Sequence, residues 1–138
     1  MPRRFTVKRL HEIPGVPHPD PGDPEWKPLR HYFAIDAFGV NCFIQPEAGG
    51  RVVEDHREKE TRHQELYVVV SGRAEFVLEG EPYDCPAVTC VAIRDPEVRR
   101  SAIAVEPETT VLVVGATPGR PHEVSDWDAR WTTGLPQG

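Results

Sequence analysis

The sequence predicts an all-β domain, an antiparallel sandwich or barrel, with an extended N-terminal arm and a short C-terminal tail. Three observations carry that expectation. Between about residues 31 and 115, short β-rich runs recur roughly every 8–12 residues, separated by turn residues. Almost none of this stretch shows a helical period. Ala74, Phe76 and Leu78 alternate with Arg73, Glu75, Val77 and Glu79, which gives a strand one more apolar face.

The first zone, residues 1–30, holds seven of the fifteen prolines, and residues 18–24 read His-Pro-Asp-Pro-Gly-Asp-Pro. Such a segment holds neither a helix nor a central strand. It reads as an arm with an edge strand at Phe5 to Leu10 and with Trp26 as the anchor that pins it to the body. The second zone, residues 31–115, carries candidate strands at His31 to Asp36, Val40 to Gln45, Arg51 to His56, Glu65 to Val70, Arg73 to Glu79, Val88 to Ile93, Arg100 to Val105 and Thr110 to Val114. Ser71-Gly72 and Glu79-Gly80 read as tight turns, because glycine accepts a positive φ without strain. They predict two consecutive antiparallel hairpins, Glu65 to Glu79 and Arg73 to Cys85. Gly39 marks a bulge or tight bend before its strand, and Asn41 satisfies a strand end. The third zone, residues 116–138, is a tail that packs on the barrel, with one helix at Ser125 to Trp131. Ser125 is its N-cap, and Trp127 and Trp131 lie four apart on one packing face.

Composition excludes several classes. The 138 residues make one domain, with 16 Lys+Arg against 22 Asp+Glu, a net charge of −6. That balance argues against a nucleic-acid binder and against docking on anionic membranes. The longest apolar run, Val111 to Ala116, is far below the ~20 residues of a membrane span. Arg3, Arg4, Lys8 and Arg9 are followed by prolines rather than an apolar core, so no export signal is expected. Cys42, Cys85 and Cys90 are odd in number and lack a CxxC spacing, which suits core thiols in a reduced, cytoplasmic setting. His11, His18, His31 and His122 lie in the arm and tail and read as solvent-facing.

Chemistry concentrates in residues 56–65, His-Arg-Glu-Lys-Glu-Thr-Arg-His-Gln-Glu. Imidazole nitrogens and carboxylate oxygens are the ligand set of divalent metals. On strands, His63, Glu65 and Tyr67 share one face and His56 and Glu58 another, and a turn could join the pairs. A solvated, salt-bridged loop is the competing reading.

The run from Gly50 to His56, then Glu65 to Gly72, resembles the first motif of the cupin superfamily, G-x5-H-x-H-x3–4-E-x6-G. Gly50 and His56 match its G-x5-H, and Glu65 and Gly72 match its E-x6-G. The resemblance covers about residues 35–115 and implies a cupin-type antiparallel β-barrel, a jelly roll, and a homodimer. It also implies a three-His-one-Glu metal site, from which this chain departs. Glu58 stands where the second histidine belongs, with six residues between it and Glu65 rather than three or four. Of the second motif, G-x5-P-x-G-x2-H-x3-N, only Gly80, Pro86 and Pro96 give fragments. No histidine lies between His63 and His122, and depending on register Val91, Arg100 or Ser101 takes the missing place.

Three readings follow. His56, Glu58, His63 and Glu65 hold a divalent metal (Zn, Mn, Fe or Ni) in an altered set at the barrel mouth, with Tyr67 orienting a substrate of a metal-dependent reaction. Alternatively the barrel binds a small molecule without metal, in a pocket lined by Tyr67 and Phe76, with Arg100 clamping a carboxylate. Arg94, Arg99 and Arg100 flank Pro96 in what also reads as a surface turn. In the third reading the barrel is filled and acts as a scaffold without catalysis.

Overall fold

The structure, a computed structural model, describes residues 3–16, 20 and 22–138. Pro17, His18, Pro19 and Pro21 of the arm lie outside the described residues. Among the described residues, nine strands form two antiparallel sheets packed face to face. The first sheet contains β1 (Glu25–Lys27), β2 (Gly39–Gln45), β9 (Thr109–Ala116), β4 (Gln64–Ser71) and β7 (Cys90–Ile93), in that spatial order. The second is ordered β3 (Arg51–His56), β8 (Arg100–Ala104), β5 (Arg73–Leu78) and β6 (Glu81–Pro86). This is a jelly roll whose two sheets are not joined by hydrogen bonds into a closed barrel. Among the described residues no helix is long and apolar enough to cross a membrane.

The period of two sets the core. β4 turns Glu65, Tyr67 and Val69 inward, and β5 does the same with Ala74 and Phe76. These meet Val52, Ala102 and Val111 between the sheets, all fully buried. Tyr67 and Phe76 pack edge to face, with ring centroids 5.5 Å apart. A second cluster covers the outer face of β2 and β9, where Ile13, Leu29 and Tyr32 pack on Val40 and Cys42. Burial pushes the Cys42 thiol up to about 12. Cys85 is also a core thiol, but Cys90 is exposed, because it faces outward on β7.

Several expectations change. The segment predicted as a strand at His31 to Asp36 begins with a helical turn, α1 (Leu29–Tyr32), which follows Pro28 and buries Leu29, Arg30 and Tyr32. No strand forms at Phe5 to Leu10; a 3-10 turn spans Leu10–Glu12, and the edge strand is β1, further along the arm. There Trp26 pairs opposite Phe43 and donates its indole N–H to Asn41 Oδ1 at 2.7 Å. Asn41 therefore serves the anchor from within β2, not a strand end. Gly39 is the first paired residue of β2, opposite Gly115, rather than a bend before it.

The expected hairpin of Glu65 to Glu79 does not exist: β4 and β5 belong to different sheets. Gly72 is the corner between them, with φ of +77°, and a Cβ there would stand 2.5 Å from Thr109 Oγ1 and 2.8 Å from its Cα. The glycine answers to a distant strand as much as to its own turn. The second hairpin, β5 to β6, forms over six residue pairs. Its turn, Glu79-Gly80, has positive φ at both residues, as a type I′ turn requires.

The tail helix α2 (Asp126–Thr132) forms as read, although the Ser125 side chain makes no capping bond. Its buried face is set by Asp128 and Thr132. Arg30 grips Asp128 with two bonds of 2.7 and 3.1 Å. Trp127 packs against Trp26 with the rings tilted, centroids 5.1 Å apart and planes at 56°, while Trp131 is left exposed instead of packing. The chain end closes back on α1, Gly138 N–H donating to Tyr32 O at 2.9 Å.

Candidate functional site

The inward residues at one end of the sandwich build a polar cluster. β3 ends on His56, and β4 brings Glu65 and Tyr67 in two residues apart. The loop between them returns Glu58, held where Thr61 Oγ1 donates to Glu58 Oε2. One ligand atom each from His56, Glu58 and Glu65 lies within 4.8 Å of the others. His56 Nε2 stands 3.0 Å from Glu58 Oε1 and 3.9 Å from Glu65 Oε1.

The imidazole's orientation follows from its other nitrogen. His56 Nδ1 is 2.6 Å from the Glu54 carbonyl, which can only accept, so Nδ1 carries a proton. Nε2 therefore faces two carboxylates. If neutral, it would set its lone pair against theirs, so the arrangement calls for a cation between them, either a proton or a metal. Burial disfavours the charged imidazole. The hydrogen bond with Glu58, that with the Glu54 carbonyl, and the charges of Glu58 and Glu65 outweigh it and raise the His56 pKa. For Glu58, burial pushes upward, but His56 and Thr61 together hold it below the ordinary range.

Glu65 has a different partner. Arg100 is fully buried, and its Nη1 donates to Glu65 Oε1 at 2.7 Å. Its Nε and Nη2 donate to the Val98 carbonyl at 3.1 and 2.9 Å. Tyr67 donates its hydroxyl to the same Glu65 oxygen at 2.6 Å, and burial pushes the phenol well above its usual pKa. Of the three residues that could fill the missing histidine's place, Arg100 is the one that reaches the cluster. It is not a surface-turn residue; its neighbour Arg99 is, paired with Asp55 outside.

A cavity of about 230 Å³ opens beside the cluster, walled by Asn41, Phe43, Val53, Tyr67, Val113 and Trp127. Phe76 lies beneath Tyr67 in the core and does not reach it. Arg100 touches Glu65 from behind rather than lining the cavity. His63 stands outside the three-residue group: β4 begins at Gln64, after Arg62 with φ of +60°, so strand parity does not extend to it. It packs on His122, ring centroids 5.7 Å apart, beside a smaller chamber that shares Glu58 and Glu65. His122 is thus half-buried with an enclosed Nδ1, not solvent-facing. Trp127 escaped the sequence reading as a site residue because its aromatic spacing signals packing; here it does both.

A metal can be weighed against these groups. One nitrogen and two carboxylate oxygens, with room toward the cavity, fit in number and kind what a three-ligand open site uses. The Glu54 carbonyl that accepts from His56 Nδ1 is also typical of the way a ligating imidazole is held. The Arg100 cation on Glu65 works against a second cation there.

No family model matches the sequence, and no curated protein does. Solved structures do match. KdgF from Halomonas sp. is 21% identical with a TM-score of 0.66, over 91% of this chain and 98% of that one. A sugar phosphate isomerase from a cupin superfamily, from Silicibacter pomeroyi, is 18% identical with a TM-score of 0.64, over 80% and 75% of the two chains. A cupin protein from Bacteroides fragilis is 18% identical with a TM-score of 0.60, over 99% of both.

Proposed function

Taking the cupin fold as the premise, we propose that this chain binds a divalent cation through His56, Glu58 and Glu65 and holds a small polar molecule in the adjoining cavity. The observation that carries it is the convergence of Nε2 and two carboxylates, with the imidazole locked by the Glu54 carbonyl. Mn, Fe and Zn suit such a donor set. When bound, the metal supplies Lewis-acid polarisation of a ligand oxygen. The chain's own residues do the rest. Arg100 and Tyr67 fix Glu65, Thr61 fixes Glu58, and Trp127 with Phe43 gives the ligand an apolar wall.

The neighbour named as a sugar phosphate isomerase supports a polyhydroxylated ligand. The arginines nearest the cavity are already committed, Arg51 to Asp23 and Arg100 to Glu65. A phosphate or carboxylate group would therefore find its countercharge at the metal.

The Arg100–Glu65 pair favours a second reading, in which the guanidinium neutralises Glu65 and a proton alone bridges His56 and Glu58. The site then binds its small molecule without metal, and His56 serves as a proton donor. Elemental analysis of untagged protein, purified without chelator and again after reconstitution, separates the two. About one equivalent of metal per chain, lost in His56→Ala while the fold persists, supports the first reading. Less than about a tenth of an equivalent after reconstitution rejects it in favour of the second.

A further inference from the structure

Past the two glutamates the cavity gives onto a second chamber, of about 70 Å³. The two spaces share Asn41, Glu58, Glu65, Val113 and Trp127 as walls, so they meet across the polar cluster. The chamber exists because two inward positions of the first sheet carry no side chain. Gly39 on β2 and Gly115 on β9 pair directly opposite each other, two residues from the inward pair Asn41 and Val113. The tail then roofs the gap with His122, and a Cβ on Gly39 would lie 3.5 Å from its Cε1.

Several polar groups around this chamber are uncommitted. His122 Nδ1 is enclosed and has no hydrogen-bond partner among the described residues. The Ser125 hydroxyl makes no capping bond. Asn41 accepts the Trp26 indole on Oδ1, which leaves its amide N–H groups. Glu65 takes Arg100 and Tyr67 on Oε1, which leaves Oε2, the oxygen that a Cβ on Gly115 would approach to 3.6 Å.

Charge here, by contrast, is spent. Asp128 is held by Arg30, and Glu58 by His56 and Thr61. Burial, then the charges of His63 and Arg30, lower the His122 pKa, so its ring is neutral at pH 7. An anionic group in the chamber would meet carboxylates and, among the described residues lining it, no arginine or lysine. The larger cavity differs, with Phe43, Val53, Val113 and Trp127 as an apolar wall.

We propose that the second chamber is a subsite for the uncharged, hydroxylated end of the bound molecule, read by His122, Ser125 and Asn41. The inference rests on the ligand-binding cavity proposed above, and it orients that ligand. A charged end stays in the larger cavity beside His56. The other end passes Asn41 and Trp127 into the chamber, which has room for about two hydroxylated carbons. A hydroxyl both donates and accepts, which suits a neutral imidazole, a serine and an amide beside a carboxylate oxygen.

Titration calorimetry on the full chain, with Mn²⁺ and again in chelator, compares glycolate with xylonate. Both carry a carboxylate and an α-hydroxyl, and xylonate adds a tail of hydroxylated carbons long enough to cross the glutamates. Xylonate should bind about tenfold tighter than glycolate, as one or two net hydrogen bonds would give. His122→Ala should bring that ratio down to about two. Gly39→Val, which fills the chamber from a strand position, should do the same with circular dichroism unchanged. In the wild type the His122 ring resonances should move with xylonate and stay with glycolate. Equal affinities in the wild type overturn the proposal while leaving the cavity reading standing, and waters alone then fill the chamber. A ratio that survives both substitutions overturns it in the same way. If neither acid binds in either condition, the cavity reading fails and the proposal falls with it.

Discussion

Replacing Arg100 with methionine isolates the feature that most alters this site. The side chain is fully buried, and Glu65 is nearly so, its side chain 11% exposed. Solvent screening therefore offers little relief. Arg100→Met keeps the apolar stem volume but strands the Glu65 carboxylate beside Glu58 and takes the donors from the Val98 carbonyl. Breaking a buried pair from one side costs about 3–5 kcal/mol. At about 4 °C per kcal/mol for a chain this size, the melting temperature should fall by about 12–20 °C. Adding Glu65→Gln removes the stranded charge, and the amide oxygen can still accept the Tyr67 hydroxyl. The double variant should therefore recover to within about 2 kcal/mol of wild type. Calorimetry in chelator measures all four corners of the cycle. A loss below about 1 kcal/mol in Arg100→Met would show that the guanidinium is not seated on Glu65. A double variant no better than the single would assign the loss to the carbonyls and refute the charge argument. Divalent metal added to Arg100→Met should restore stability under the metal reading, because it supplies the missing countercharge.

Further predictions concern neighbouring groups. His56 has a raised pKa, so its pairing is fully present below the ordinary 6.5 and fades as pH rises through the folded value; Glu58 has a lowered pKa, so its share is present above the ordinary 4.5 and fades as pH falls. In chelator, the melting-temperature gap between wild type and Glu58→Gln should be widest near about pH 5.5 and shrink on both sides, and a gap that keeps growing into alkali contradicts the assignment. Metal affinity should run the other way, strengthening as pH rises past the His56 value, because the ligand must be neutral. Asp128→Ala strands the buried Arg30 and should cost about 3–5 kcal/mol, with faster protease cleavage around α2; an unchanged cleavage pattern would mean α2 is held by other contacts. Gly72→Ala, with its Cβ driven onto Thr109, should cost about 3 kcal/mol by urea unfolding, whereas Gly80→Ala, open within 4 Å, should cost about 1; equal losses would show that φ alone matters at both.

The strand pattern was largely legible because period-two alternation survives wherever one face is buried and the other wet, as in Arg73–Leu78. What failed was set by contacts distant in sequence. One helical turn at Leu29–Tyr32 is too short to show a period, and its cause, Arg30 reaching Asp128, lies 98 residues away. Ser71-Gly72 looks the same locally whether it closes a hairpin or turns a corner between sheets. Only the approach of Thr109 decides, and no local signal announces it. Glu65 and His56 could be placed from motif spacing, but the partner of Glu65 could not.

The reason lies in β8. Its inward side chains are Arg100, Ala102 and Ala104, and Ile103 points out. Hydropathy alone would turn that strand over, hiding isoleucine and exposing arginine. The inverted face is stable because the guanidinium is matched: its N–H groups donate to Glu65 and to backbone carbonyls, and the alanines leave room for its length. β3, opposite β8, slips register twice before His56, which shifts the imidazole's parity relative to Arg100. A cation buried against the motif's glutamate is thus a consequence of packing on both strands. It also splits the two carboxylates: Glu65 is satisfied by arginine, while Glu58 depends on whatever sits on His56 Nε2. Chemistry at this site therefore turns on one imidazole nitrogen, and the choice between proton and metal is made there.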